Sequence, residues 1–198
     1  MVRAYRALRP QGIEWPLRDD GHTSFRLEEL TAANGIDHGA AHDAMADVIA
    51  TIEMARLLKR CDSELFDVLY AQRSKRAVSG LIDVLQLTPL VHVSGMFGGA
   101  RHNLALVAPV AWHPRNNSEV ICVDLGRSPD FLDCDPAMIR EQLFTPRDEL
   151  PEDTERPPIK TIRLNRAPVL LPAQWVAGPV AEALGLDGDL HRLSLIHI

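Results

Sequence analysis

The sequence contains no run of about 18 uncharged apolar residues, which a membrane-spanning helix would need. No charged segment followed by an apolar stretch opens the chain, as it would in a secretory signal peptide. Cysteine is scarce: Cys61, Cys122 and Cys134 lie far apart and lack C-x-x-C spacing, which is typical of reduced thiols rather than of a disulfide framework or zinc site. We therefore expect a soluble protein of the cytoplasm that makes no contact with a membrane.

An overall excess of basic residues is also missing, because the net charge is −6. This argues against a protein that coats nucleic acid indiscriminately, since such binding needs Lys and Arg to neutralise phosphates. The charge is distributed unevenly, however. Residues 1–9 contain Arg3, Arg6 and Arg9 without an acid, whereas residues 147–155 contain five acids and one arginine. One end of the chain can therefore face phosphates while the acidic loop stays in water.

Helical patterns dominate the first part of the chain. Residues 1–30 are interrupted by Pro and Gly and are expected to be irregular up to SFRLEEL, where a short helix begins with Ser24 as its cap. Apolar residues at helical spacing then predict a long helix with one continuous buried stripe. The stripe consists of Met45, Val48, Ile49, Ile52, Ala55 and Leu58. SELFDVLYAQR and AVSGLIDVL predict two further helices.

The pattern changes after these helices. LVHVSG, NLALVAPVAW, EVICVDLG and IKTIRLN are short β-rich runs separated by Gly, Pro and Asn, and PAMIREQLF is the one helical stretch between them. Such spacing predicts a small barrel or sandwich. Trp112 and Phe97 are expected in its core, His92 as a hydrogen-bonded face residue, and His102 and His113 in surface loops.

We place a domain boundary near residues 60–65. The preceding segment has one long one-sided helix and no strand, so its apolar stripe would face water unless a sheet from outside these residues covered it. The first 60 residues therefore resemble the end of a larger domain. A large uncovered apolar patch promotes association, so we expect an isolated chain to be poorly soluble.

His42, Asp43 and Asp47 stand at the start of the long helix and allow three interpretations. In the simplest, Asp43 caps the helix, Asp47 is a solvated first-turn acid and His42 is a loop residue. In the second, Asp47 holds a divalent cation and His42 takes a proton from an attacking water. In the third, His42 and Asp43 form the adjacent pair of an HD-type phosphohydrolase.

Longer phrases favour the second interpretation. RALRPQGIEWP, DDGHTSFRLEELTAANGIDHGAAHDAMADVIATIEMARLLK and LTPLVHVSGMFGGARHNLALVAPVAWHP resemble bacterial exodeoxyribonuclease I, a family of the DEDD superfamily of exonucleases. HDAMADV is similar to its third exonuclease motif, H-x4-D, and HVSGMFG to part of its SH3-like domain. The resemblance covers residues 2 to about 190.

The resemblance implies a Mg²⁺-dependent enzyme of DNA repair that removes nucleotides from the 3′ end of single-stranded DNA. Asp47 would be a metal ligand and His42 the general base. Arg26 matches a substrate-binding arginine, and Arg3, Arg9 and Lys75 fall where the family places basic contacts to the strand. Implied partners are single-stranded DNA and a single-strand DNA-binding protein, and the full-length enzyme is expected to be a monomer.

The resemblance also implies an α+β chain in three parts. Residues 1–61 would be the closing helices of a ribonuclease-H-like α/β exonuclease domain, and residues 62–192 a β-rich SH3-like domain. LSLIHI, residues 193–198, resembles a translated sequencing adapter.

The family uses four carboxylates around two metal ions, and three of them come from segments before the matched region. We therefore expect the chain to be an internal piece, with Met1 an internal start, that does not hydrolyse DNA alone. A noncatalytic nucleic-acid-binding module is the alternative if Met1 is the natural start.

Overall fold

The computed structural model describes residues 1–37 and 44–197 of the chain. Its α-helices in these residues are α1 Val2–Leu8, α2 Leu27–Ala33, α3 Ala44–Cys61, α4 Ser63–Ala71, α5 Lys75–Ser79, α6 Pro136–Phe144, α7 Pro179–Ala183 and α8 Gly188–His197. Its strands are β1 Leu90–Val93, β2 Leu104–Trp112, β3 Glu119–Asp124, β4 Ile159–Arg163 and β5 Val169–Pro172. No helix among the described residues is long and apolar enough to cross a membrane.

The five strands form one antiparallel sheet in the order β4-β3-β2-β1-β5. Strand β1 lies between β2 and β5, with Val91 opposite Leu106 on one side and Leu171 on the other. The register of β2 against β3 shifts between Pro109 and Ala111, where the proline cannot donate a ladder hydrogen bond. Four of the strands and α6 match the predicted runs, whereas β5 was not predicted because VLLP is short and ends in proline.

Each face of the sheet carries its own apolar core, because successive side chains of a strand point to opposite faces. One face packs against the helices of the first 71 residues. This first core contains Ala4, Tyr5, Leu8, Ile13, Leu30, Met54, Leu58, Leu65, Leu69, Val91, Val93, Leu104, Leu171 and Val176. Residues before and after position 61 therefore share one core.

The opposite face packs against α5 and the segments around it. This second core contains Val78, Leu90, Ala105, Val107, Val120, Cys122, Ile162, Leu164 and Leu170. Burial raises the pKa of the Cys122 thiol to about 12, so this thiol stays protonated at neutral pH. Gln72 closes the β5 side of the sheet: its amide donates to the Leu170 carbonyl, and its carbonyl accepts from the Leu170 amide at 2.9 Å.

Side chains cap two of the predicted helices where the sequence supplies an aspartate. Asp62 accepts a hydrogen bond from the Leu65 amide at 2.8 Å at the start of α4, and Asp135 accepts from the Ala137 amide at 2.7 Å at the start of α6. Both bonds satisfy first-turn donors that the helix itself leaves unpaired. The predicted starts of these helices are confirmed.

Helix α3 has the predicted position, but its buried side differs from the predicted stripe. The buried side chains of α3 are Ala50, Met54 and Leu58, and the last two belong to the first core. Most of the predicted stripe is exposed, with Met45 at 64%, Val48 at 53%, Ile49 at 50% and Ile52 at 45%. The stripe was expected to face water because no sheet of this chain would cover it, and this holds for Met45, Val48, Ile49 and Ile52 but not for the buried Leu58. The prediction of one continuous buried stripe is therefore wrong.

Three other expectations about helices are wrong. Residues 1–30 are not all irregular, because α1 buries Ala4, Tyr5 and Leu8; its seven residues and its lack of a side-chain cap left little signal in the sequence. Ser24 does not cap α2, because it lies two residues before the N-cap Arg26 and is itself buried. The helix predicted through AVSGLIDVL ends at Ser79, next to Gly80.

The end of the described chain is helical. Helix α8 runs to His197, and the buried Ser194 hydroxyl donates to the Arg127 carbonyl at 3.0 Å. The domain boundaries and the adapter origin of residues 193–198 stay predictions.

We predict that Ile49→Lys lowers self-association of the chain without destabilising it. The side chain is half exposed on α3, so the free energy of unfolding should change by about 0.5 kcal/mol or less. Met54→Ala is the contrasting variant, because Met54 is 3% exposed and its truncation should cost about 2–5 kcal/mol. Urea unfolding gives the stability, and size-exclusion chromatography with light scattering gives the mass. An Ile49→Lys chain that unfolds as easily as Met54→Ala would contradict the assignment of faces.

Candidate nucleic-acid interface

A cleft of about 570 Å³ lies where α1, the turn at residues 16–24 and the loop at residues 94–103 meet. We call it the arginine cleft, and we call residues 94–103 the glycine loop. The cleft is lined by Arg3, Arg6, Leu17, Arg18, Gly21, His22, Thr23, Ser24, Phe25, Arg26, Gly95, Gly98, Gly99, His102 and Asn103. Two neighbouring segments near the start of the chain and one distant loop therefore build one surface.

Helix α1 supplies two of the arginines. Arg3 and Arg6 are three residues apart, so they lie on one face of the helix. The Arg3 guanidinium lies over the Phe25 ring, with its Cζ 4.8 Å from the ring centroid. The Arg6 Nε donates a hydrogen bond to the Thr23 hydroxyl at 3.0 Å. Both side chains are thus held toward the turn at residues 16–24.

The turn at residues 16–24 is a small hairpin. The Arg18 amide donates to the His22 carbonyl at 2.8 Å, and the Ser24 amide donates to the Pro16 carbonyl at 2.8 Å. Gly21 adopts a φ of 76°, a left-handed conformation that glycine adopts without steric cost. The hairpin brings Arg18 and His22 to the cleft.

The glycine loop forms the opposite wall. A Cβ on Gly99 would lie 2.6 Å from the His22 Nδ1, a distance too short for real atoms, so His22 packs where a side chain would stand. A Cβ on Gly95 would lie 3.4 Å from the Arg3 Nε. The absence of side chains at these two positions therefore lets the loop approach the arginine side of the cleft closely.

Positive charge dominates the cleft. Its lining contains four arginines and no carboxylate among the described residues. Arg18 pairs with Asp20 at 2.8 Å and Arg26 with Glu29 at 3.4 Å, but these carboxylates are solvent-accessible, and such surface pairs are weak. A basic groove beside an aromatic ring and an exposed backbone suits the phosphates and bases of a single nucleic-acid strand.

The predicted strand-contacting residues fall into two groups. Arg3 and Arg26 both line the arginine cleft. Arg9 does not: it follows the last residue of α1, pairs with Asp62 at 2.9 Å and lies over the Trp175 ring at 5.5 Å. Lys75, at the start of α5, donates to the Ser118 hydroxyl at 2.8 Å. The structure thus brings only the first pair together in the cleft.

The predicted metal ligand Asp47 lies in the first turn of α3 and is partly buried. His42 and Asp43, the predicted base and cap, lie outside the described residues. Across residues 1–37 and 44–197, no three His, Cys, Asp or Glu side chains come together in a group that could hold a metal ion.

Sequence reasoning missed several lining residues of the cleft. Arg18, His22 and Phe25 received no role, and Arg6 was noted only as part of a basic segment. The i, i+3 spacing of Arg3 and Arg6 would have placed them on one face if α1 had been predicted. His102 is exposed in a loop as predicted, and it lines the cleft. Trp112 is 40% exposed at the end of β2, so the expectation that it lies in the core is wrong.

One aromatic side chain, that of Phe97, lies beside the second core together with four charged or polar side chains. We call this group the Phe97 cluster; it consists of Phe97, His92, Arg101, Asp124 and Lys160. Arg101 pairs with the buried Asp124 through two hydrogen bonds of 2.6 and 2.9 Å. Hydrogen bonding to Asp124 raises the pKa of Arg101. Phe97 is partly buried against the second core, which agrees in part with its prediction as a core residue.

His92 is buried at 5% exposure on β1, but its Nδ1 has no hydrogen-bond partner among the described residues. The expectation of a hydrogen-bonded histidine is therefore wrong for this atom. Burial, reinforced by the charge of Lys160, lowers the pKa of His92 to about 3. The histidine is thus neutral at physiological pH.

Comparisons with known proteins all find relatives in one family, that of exonuclease I. A sequence model of the exonuclease I SH3-like domain family matches residues 73–197. Exodeoxyribonuclease I of Escherichia coli K12 is 50% identical over 188 residues, which are 94% of this chain and 39% of that protein. Exodeoxyribonuclease I of Haemophilus influenzae is 46% identical over 192 residues, 96% of this chain and 41% of the relative. The chain thus spans about two fifths of the length of these relatives.

Solved structures agree with the sequence relatives. E. coli exonuclease I in complex with a dA16 oligonucleotide superposes with a TM-score of 0.93 at 48% identity, over 98% of this chain and 42% of that one. A zinc-bound E. coli exonuclease I complex with single-stranded DNA gives 0.90 at 47%, over 98% and 42%. A structure of SSB/exonuclease I with the inhibitor CFAM gives 0.88 at 46%, over 98% and 41%.

The pKa of His92 predicts how stability depends on pH. Between about 6.5, the ordinary value, and about 3, the unfolded chain binds a proton at this residue and the folded chain does not. The free energy of unfolding should therefore fall as the pH falls through this window, by at most about 1.4 kcal/mol per pH unit from this residue.

Urea unfolding at pH 6.5, 5.5 and 4.5 measures this effect. His92→Leu should show the shallower dependence on pH, because the variant has no imidazole to protonate. His113→Leu, which changes a loop histidine, serves as the control and should follow the unmodified chain. Equal slopes for His92→Leu and the unmodified chain would show that His92 is not the source.

Proposed function

The chain belongs to the exonuclease I family, and from this we propose that it binds single-stranded DNA in the arginine cleft. The observation that carries the proposal is the convergence of four arginines from α1, the 16–24 hairpin and the start of α2 on one cleft. Guanidinium groups bind phosphates by charge and by paired hydrogen bonds. The family relationship supports a DNA strand as the source of these phosphates.

The cleft suits a strand of any base sequence. Phosphate contacts contribute affinity without distinguishing bases, and the glycine loop lines the cleft with Gly95, Gly98 and Gly99 beside His102 and Asn103. Phe25 is partly buried between Arg3 and Trp15, whose ring lies edge-on at 6.4 Å. We propose that this ring mainly orients Arg3. The expected binding is therefore salt-dependent and insensitive to sequence.

We further infer that the complete protein is a 3′→5′ exodeoxyribonuclease of DNA repair. The names of the relatives support this inference, and the zinc-bound relative supports dependence on a metal. We propose Asp47 as a ligand of Mg²⁺ and His42 as the general base, on the strength of the H-x4-D motif alone. Because the described residues do not complete a metal site, we derive no catalytic step from them.

Arg9 and Lys75 stay proposed strand contacts of lesser weight. Arg9 is already paired with Asp62, so a phosphate would have to compete with that carboxylate. Lys75 donates to the neutral hydroxyl of Ser118, which does not compensate its charge, so the charge can still act on a strand along α5. We expect Lys75→Ala to weaken binding more than Arg9→Ala.

A single-strand DNA-binding protein is a second proposed partner, supported by the SSB/exonuclease I structure among the relatives. A cytoplasmic location and a monomeric complete protein are likewise proposed from the family. The HD-phosphohydrolase interpretation gains no support from these relatives. A noncatalytic binding module would share the arginine cleft, and it differs from the proposed enzyme only in hydrolysis.

We predict that removing arginines from the cleft weakens DNA binding. Arg3→Ala and Arg26→Ala should each lower the affinity for an oligo(dT) strand about tenfold, because each loses a charge-assisted hydrogen bond. The double variant should also reduce the slope of log affinity against log salt by about 1.4, or about 0.7 per phosphate contact. Fluorescence anisotropy with a labelled oligonucleotide at several salt concentrations measures both.

Arg140→Ala is the matched control, since Arg140 is exposed on α6 outside the cleft. It should change neither affinity nor slope. An equal loss for Arg140→Ala and Arg3→Ala would show that net charge rather than the cleft governs binding. Unchanged affinity in the double variant would refute the cleft as the binding site.

We predict a separation of binding from hydrolysis. With Mg²⁺, the 198-residue chain should bind oligo(dT) without shortening it, because its described residues do not assemble a metal site. A protein extended to the length of the relatives should shorten the strand from its 3′ end, and Asp47→Ala should abolish this. Denaturing gel electrophoresis follows the products.

Asp43→Ala in the extended protein distinguishes the remaining alternatives. We expect it to retain more hydrolysis than Asp47→Ala, whereas an HD phosphohydrolase would lose as much with either variant. Hydrolysis that survives Asp47→Ala would overturn the metal assignment, and an extended protein that binds without hydrolysis would favour the noncatalytic module.

A further inference from the structure

The glycine loop sets the width of the arginine cleft, so whatever holds the loop controls the cleft. Gly99 touches His22, and Gly95 approaches Arg3, as the short distances from their would-be Cβ atoms show. A small movement of the loop therefore changes the space between it and the arginines.

Backbone hydrogen bonds close the glycine loop on itself. The Ser94 amide donates to the Asn103 carbonyl at 2.8 Å, and the Asn103 amide donates to the Gly98 carbonyl at 2.9 Å. Gly98, His102 and Asn103 all have positive φ values, of 75°, 52° and 56°. For His102 and Asn103 this conformation is uncommon, so contacts elsewhere must hold the loop in it.

Two side chains of the loop provide such contacts with the sheet. Arg101 pairs with the buried Asp124 of β3. The Phe97 ring packs edge-on against His92 of β1, with centroids 5.5 Å apart and an interplanar angle of 89°. The Lys160 Nζ of β4 lies 4.1 Å from the Phe97 centroid, and the Arg101 Cζ lies 5.4 Å from it. Side chains from two strands of the sheet thus hold the aromatic ring of the loop.

The contact between Lys160 and Phe97 adds to the compensation that the buried amine receives from the charge of Asp124. The Lys160 Nζ is buried and has no hydrogen-bond partner among the described residues. A buried ammonium without hydrogen bonds is costly, and the face of an aromatic ring attracts it. Lys160 therefore favours the loop conformation that keeps the Phe97 ring in place.

We propose that Phe97 is a positioning residue of the arginine cleft, held on the sheet by Lys160, His92 and Arg101 so that Gly95 and Gly99 stand against Arg3 and His22. This inference rests on the proposed function, since the cleft must bind DNA for its width to affect affinity. The residues of the Phe97 cluster are neither predicted site residues nor lining residues of the cleft.

The test compares Phe97→Leu, Phe97→Tyr and Phe144→Leu in the 198-residue chain. Leucine keeps an apolar side chain but removes the ring, and tyrosine keeps the ring. Phe144 is 79% exposed on α6, so Phe144→Leu makes the same chemical change away from the cleft. Circular dichroism during urea unfolding verifies that each variant is folded before binding is measured.

The first readout is hydrogen exchange of the loop amides without DNA. Phe97→Leu should accelerate exchange at Phe97, Gly98, His102 and Asn103 by about tenfold, because loss of a desolvated cation–π contact favours opening of the loop. Phe97→Tyr and Phe144→Leu should leave exchange unchanged. Unchanged exchange in Phe97→Leu would overturn the proposal without any reference to DNA.

The second readout is affinity for labelled oligo(dT), measured with and without Arg3→Ala. Phe97→Leu should lower the affinity about threefold to tenfold, whereas Phe97→Tyr should keep the affinity of the unmodified chain. In the Arg3→Ala background the loss should be much smaller, because the loop then has no Arg3 to position. A purely structural role would instead give the same loss in both backgrounds, and that result would overturn the inference.

The two proposals fail in different ways. Unchanged affinity in Phe97→Leu, beside a clear loss in Arg3→Ala, overturns the positioning role and leaves the cleft as the binding site. Unchanged affinity in Phe97→Leu and also in Arg3→Ala and Arg26→Ala overturns the proposed function and the positioning role together.

Discussion

The pairing of β1 between β2 and β5 is the constraint on which the rest of the structure depends. All four residues of this strand are buried, so both of its faces and both of its edges are occupied. Val91 and Val93 point into the core shared with α1–α4, while Leu90 and His92 point to the opposite core. A one-residue shift of β1 would place His92 among the helices, so its register is strongly determined.

The same strand determines where the cleft forms. The glycine loop begins directly after Val93 and returns to the sheet at Leu104, so its two ends are fixed by neighbouring strands. Helix α1 buries Ala4, Tyr5 and Leu8 in the core that Val91 and Val93 also enter. The apolar side of α1 thus faces the sheet, while Arg3 and Arg6 extend toward the 16–24 hairpin and Arg3 also approaches Gly95 of the loop. The cleft therefore forms where the polar side of α1 and the glycine loop meet at the edge of the first core.

Local patterns in the sequence predicted those features that depend on neighbouring residues. Alternating apolar runs predicted four strands, and the aspartate caps agree with the starts of α4 and α6. The buried side of α3 could not be predicted in this way. Apolar residues at helical spacing lie both on its exposed face, from Met45 to Ile52, and on its buried face, from Ala50 to Leu58, and only tertiary packing chooses between the two faces. Likewise Arg3 and Arg26 were predicted from resemblance, whereas Arg18 and His22 required the geometry of a hairpin that brings them beside the loop.

The charge distribution explains how an acidic chain can carry the DNA-binding site that we propose for the arginine cleft. The net charge is −6, but the cleft lining contains four arginines and no carboxylate among the described residues. Screening limits the reach of surface charges to about 8–10 Å at physiological salt, so a phosphate in the cleft responds chiefly to the arginines beside it. The Phe97 cluster adds a further constraint, because burial keeps His92 neutral at physiological pH, so that it adds no positive charge to those of Lys160 and Arg101 beside Phe97. We therefore expect the charge of His92 to leave the position of the glycine loop unchanged near neutral pH.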